Sequence, residues 1–96
     1  NGQNVYPEEI ENRLNSMPMV SECLIVQRGE QLVALVFPDQ DESSGLSAEE
    51  LEAVMEQNRQ NMNEQMPAFS RISRIELQSE EFKKTPKKSI KRYLYT

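Results

Sequence analysis

The 96-residue chain has no histidine or tryptophan, one cysteine, three glycines, and no apolar run near the ~20 residues of a membrane-spanning helix. With no histidine and only Cys23, neither a zinc site of the Cys/His kind nor a Ser-His-Asp or Cys-His nucleophile system can be assembled. The glycines never fall in a Gly-x-x-x-x-Gly-Lys arrangement, which excludes a self-contained loop for cradling phosphate. A lone Cys23 cannot form an internal disulfide. Within Cys23-Leu24-Ile25-Val26 it reads as a buried thiol, in keeping with a cytoplasmic protein. A secretory leader is missing too, but the chain opens on Asn1-Gly2 and reads as an excised piece of something longer. At 36% apolar residues it is expected to form one domain with a small core.

What is present is uneven charge. Six of the eleven basic residues lie between 83 and 92, so residues 1–82 carry a net −11 and the tail +6. A basic terminal run either meets an anionic counterpart or solvates a terminal helix. Tyr93 and Tyr95 beside it are the stacking surfaces a nucleic-acid module uses, but an acidic body with a pI near 4.8 opposes that role. A stand-alone protein-interaction domain is the other alternative to an enzyme part.

The pattern predicts an α+β fold: a small antiparallel sheet of about three strands, with three helices. Residues 7–16 read as a helix, with Pro7 at its first position and Glu8, Glu9 and Glu11 at its positive end. The run 20–27 and the run 31–37 form a hairpin around Gly29, apolar on much of both faces. Residues 39–45 read as a polar loop. Ser47 and Glu50 form a capping box for a helix to about residue 65, whose Met55 and Met62 are core filling rather than ligands. A third, half-exposed strand over 71–77 shows a slip in its alternation between Ile72 and Ile75. A last short helix is expected over 86–94, started by Pro86.

Two runs carry a resemblance. The tail reads Thr85-Pro86-Lys87-Lys88-Ser89-Ile90-Lys91-Arg92, and the opening reads Gly2-Gln3-Asn4-Val5-Tyr6-Pro7-Glu8-Glu9-Ile10-Glu11. The first resembles the C-terminal signature of the adenylate-forming enzymes, the acyl-CoA synthetases and their relatives. The second resembles the run that opens their small C-terminal domain just after its hinge. Lys91 and the Tyr93-Leu94 ending look most like the long-chain fatty-acid branch.

The resemblance implies a lid domain working with a large N-terminal domain in the same chain. The whole enzyme would activate a fatty acid with ATP and magnesium to acyl-AMP, then pass the acyl group to coenzyme A. It gives Gly2 to the loop lining the pantetheine channel and puts Lys87 and Lys91 near the nucleotide. It also implies a catalytic lysine, where this chain has Ser89. A carboxylate attacking a phosphate brings two anions together, so a cation there lowers the barrier. A neutral hydroxyl cannot supply it. Three accounts are open: Lys88, alone or with Lys87 and Lys91, takes over the role; adenylation is weak, or activity is confined to the thioester step; or the serine is an introduced change.

Overall fold

Pro7 begins the first helix, and the turn through Pro18 feeds the first strand. The computed structural model describes residues 6–95. In chain order it comprises α1 (Pro7–Asn15), β1 (Val20–Arg28), β2 (Gln31–Pro38), α2 (Gln40–Ser43), α3 (Ala48–Glu64), a 3-10 turn (Ala68–Ser70), β3 (Ile72–Leu77) and a final 3-10 turn (Arg92–Leu94). The class is α+β, as the sequence pattern implies.

β1 and β2 pair antiparallel from Arg28↔Gln31 outward. The two residues between them turn the chain, with Gly29 at φ 64, the positive angle that a tight hairpin needs in its first central residue. Both faces of this hairpin are apolar because both are covered. On one face Cys23, Ile25, Ala34 and Val36 pack against Ile10 and Leu14 of α1 and Met55 and Met62 of α3. The other face carries Leu24, Val26, Val33, Leu35 and Phe37, packed against Phe82, Ile90 and Tyr95 of the tail.

α3 is capped as expected: Glu50 N–H donates to Ser47 Oγ at 3.1 Å and Ser47 N–H to Glu50 Oε1 at 2.9 Å. The bond from the Ser47 amide holds the Glu50 carboxyl below its ordinary pKa. Met55 and Met62 are buried, confirming their core role, and Asn58 between them donates to the Pro18 carbonyl at 2.8 Å.

Three expectations need correction. The third strand pairs parallel to β2, in sheet order β1-β2-β3, so the sheet is mixed rather than antiparallel. The reason is α3: its 17 residues span roughly 25 Å, enough to carry the chain back along an eight-residue strand before β3 sets out again. The slip in β3 is a register shift, Leu32↔Ile72 being followed by Val33↔Arg74. Second, residues 40–43 are not loop but one helical turn, capped by Asp39 accepting from the Glu42 amide at 2.9 Å. Third, the tail forms no α-helix over 86–94. It is a small hairpin with a Lys84↔Ile90 bridge, ending in the 3-10 turn.

Candidate functional site

The tail hairpin is built by Thr85. Its carbonyl accepts the Lys88 amide at 2.8 Å, closing a turn with Pro86 in the second position, where its fixed φ suits the bend. Its own amide donates to the Ser89 carbonyl at 2.8 Å, and its Oγ1 accepts the Ser89 amide at 3.3 Å. Lys88 completes the reversal at φ 66, the left-handed conformation that follows such a turn in a three-residue hairpin loop. Lys87, Lys88 and Ser89 therefore sit together, exposed, at the tip. Lys91 does not join them: it is half-buried on the returning arm, where its amide donates to the Lys83 carbonyl at 2.9 Å. Lys88 neighbours Ser89 across this turn, not around a helix. Gly2 lies outside the described residues.

Both arms of the hairpin are anchored. On the outgoing arm, Glu22 of β1 accepts the Phe82 amide at 3.4 Å and pairs with Lys84 Nζ. That hydrogen bond raises the Lys84 pKa above its ordinary value. On the returning arm, Arg92 Nη2 donates to Glu11 Oε1 and lies 3.7 Å from Glu8. Tyr95 closes the end. Its hydroxyl accepts the Lys83 amide at 2.9 Å, its ring meets Phe82 edge-on at 5.1 Å, and its carbonyl accepts from Arg28 at 2.8 Å.

Glu11 is the buried member of the acidic trio in α1. Its second carboxylate oxygen accepts the Ile25 amide of β1 at 2.7 Å, and its carbonyl accepts from Cys23 Sγ at 3.4 Å. Burial, with the Glu11 charge adding to it, pushes the Cys23 thiol up to about 12. The helix-dipole reading therefore accounts for Glu9 in the first turn, whereas Glu8 also faces Arg92 and Glu11 holds specific partners. The Glu11–Arg92 pair joins the last residue of the opening run to the last of the tail signature. Sequence reasoning missed it. The two are 81 residues apart, and no local pattern links them.

A small mixed sheet, with helices on one face and a signature-bearing hairpin on the other, is the frame these residues define. The chain belongs to the AMP-binding enzyme C-terminal domain family, whose model matches residues 1–95. Among solved structures it is similar to the anthranilate CoA ligase AuaEII in complex with anthranoyl-AMP: 25% identity, TM-score 0.77, covering 98% of this chain and 18% of that one. A Mycobacterium tuberculosis fatty acyl CoA synthetase is 24% identical with TM-score 0.69, over 97% of this chain and 17% of its own. Apo MatB from Rhodopseudomonas palustris shares the fold at 20% identity and TM-score 0.73, over 97% and 18%. None of the curated proteins compared with the chain matches it. The chain spans less than a fifth of these solved relatives. Among the described residues, no helix is long and apolar enough to cross a membrane.

Proposed function

We propose that this domain is the mobile lid of an AMP-forming acyl-CoA synthetase acting on long-chain fatty acids. Its first partner is a larger N-terminal domain in the same polypeptide. That domain, alone or with the lid, takes up ATP with its magnesium ion, the acid and coenzyme A. The observation that carries this reading is the tip at residues 86–89: an exposed, hydrogen-bonded turn on an anchored hairpin, inside a domain of the AMP-binding family. Such a turn presents its side chains to a second surface, as a lid must.

In the first half-reaction the acid's carboxylate attacks the α-phosphate of ATP, and negative charge builds on the phosphate oxygens as pyrophosphate leaves. A cation at the tip offsets that charge. Ser89 cannot, and the Lys88 ammonium, one residue away in the turn, is the stand-in, with Lys87 adding to the local field. Lys91 contributes only from the arm. The long-chain preference rests on the Lys91, Tyr93 and Leu94 pattern, and the Gly2 role in the pantetheine channel rests on the resemblance alone. A buried, unpaired Cys23 supports a cytoplasmic place for the parent.

The test is made in the full-length parent, with the two half-reactions measured separately. Lys88→Ala is expected to lower acyl-adenylate formation by roughly ten- to a thousand-fold, and Ser89→Lys to raise it. Neither should much change thioester formation from preformed acyl-adenylate. If both substitutions are silent, the tail does not supply the cation. A panel of acids from acetate to palmitate, with turnover rising toward the long chains, checks the acyl preference.

A further inference from the structure

A buried glutamate raises a question that its backbone contact does not answer. Glu11 is 9% exposed, and one of its oxygens serves the Ile25 amide. A glutamine carbonyl could also accept that amide, though more weakly, so the bond alone does not require a negative charge. The charge is used by the other oxygen, which faces Arg92. Arg92 in turn stands three residues beyond Ser89. Its own amide donates to the Ile90 carbonyl at 2.9 Å, so the guanidinium fixes the returning arm at the point where it leaves the turn. With Glu22 holding Phe82 and Lys84 on the outgoing arm, the tip is gripped from both sides by carboxylates of α1 and β1.

We infer that Glu11 is a positioning residue: through Arg92 it sets where the tip at residues 86–89 points, and the tip travels with the body of the domain instead of moving as a loop of its own. The inference rests on the functional reading above and adds a residue to it. Arg92 is thereby not a free cation for the nucleotide. Its charge is committed to Glu11, which leaves the lysines of the tip to face the substrate. A charge held by a carboxylate whose other oxygen is fixed to a strand amide has little freedom to swing, and small misplacements of a catalytic group are costly.

The experiment uses the full-length parent and four variants: Glu11→Gln, Arg92→Gln, Arg92→Lys and the double variant Glu11→Gln/Arg92→Gln. Glu11→Gln keeps the Ile25 bond and is expected to lower the kcat of acyl-adenylate formation by about ten- to a hundred-fold. KM for ATP and for the acid, and the thioester step from preformed adenylate, should stay within about twofold. Arg92→Lys should recover part of what Arg92→Gln loses, and the double variant should be no slower than the worse single one. Equal adenylation in Glu11→Gln and the unsubstituted parent overturns the inference, as does a parallel fall in both half-reactions that tracks a lowered melting temperature. Should Glu11→Gln fail to fold, the Arg92→Lys and Arg92→Gln pair decides alone, since Arg92 is only half-buried. A parent that forms no acyl-adenylate at all refutes the functional reading. A parent that forms it while the variants match it refutes only the role of Glu11.

Discussion

Lys88 holds φ 66, where an L side chain costs roughly 1–2 kcal/mol relative to glycine. Lys88→Gly is therefore expected to stabilise the domain by about 0.5–1 kcal/mol, read as a higher urea midpoint at unchanged slope. In the parent it should slow adenylation about as much as Lys88→Ala, because both remove the ammonium. Stability and rate would then move in opposite directions at one residue. Cys23 offers a second measurement at this scale. Its folded pKa of about 12 lies above the 9.0 of an unperturbed thiol, so the unfolded chain gives up the thiol proton first. Stability is fully present below pH 9 and drains away as pH rises from 9 toward 12. Cys23→Ala should flatten that part of the stability–pH curve, and the wild-type thiol should resist alkylation at pH 8 until the chain is unfolded. At the residue scale the family signature was legible in the sequence, because Thr85, Pro86, Ile90 and Arg92 stand in fixed order, whereas the hairpin that carries it was not. The partners of Arg92 and Lys84 were not, because pairing across 81 and 62 residues is decided by how the sheet is covered.

Among the elements, the reading of α3 rested on chemistry that works within four residues. The Ser47–Glu50 box needs nothing from the rest of the fold. Ser47→Ala should cost about 1 kcal/mol, measured by denaturant unfolding, with fraying confined to the first turn. The tail misled for a related reason. A threonine followed by proline is a sound helix start, with the hydroxyl as cap and Pro at the first position. Here the same hydroxyl accepts from the Ser89 amide and closes a hairpin instead. What decides between the two is the burial of Phe82, Ile90 and Tyr95 on the sheet, which pulls the arms together. The parallel pairing of β3 was similarly hidden. The strand was visible, but its direction follows from the length of the helix before it and not from its own residues.

At the scale of the molecule, the tail is a layer of the core and not an appendage. Phe82 is 3% exposed under the sheet, so Phe82→Ala should destabilise the domain by roughly 3–5 kcal/mol, seen as a large drop in melting temperature. The chain has no Gly-x-x-x-x-Gly-Lys loop of its own to cradle phosphate. One groove among the described residues, about 430 Å³, is lined by Arg59, Asn63 and Arg71 on the helical side, and no tail residue lines it. The domain alone should therefore show no ligase activity and no tight ATP binding. Micromolar affinity by calorimetry would count against the division of labour proposed above.

The anchors of the hairpin also fix an order of events in folding. The β1–β2 turn closes over two residues and can form early, whereas Arg92 must find Glu11 across 81 residues and Phe82 must find Glu22 across 60. Contacts of such long sequence separation form only after the chain between them has been ordered, so the hairpin closes on a sheet already in place. The exposed tip at residues 86–89 can open locally while Phe82 stays packed on the sheet. Native-state hydrogen exchange should find the amides of Thr85 and Lys91 opening at lower free energy than those of Ile25 and Ala34. The segment proposed to meet the substrate then joins the folded domain late and opens early.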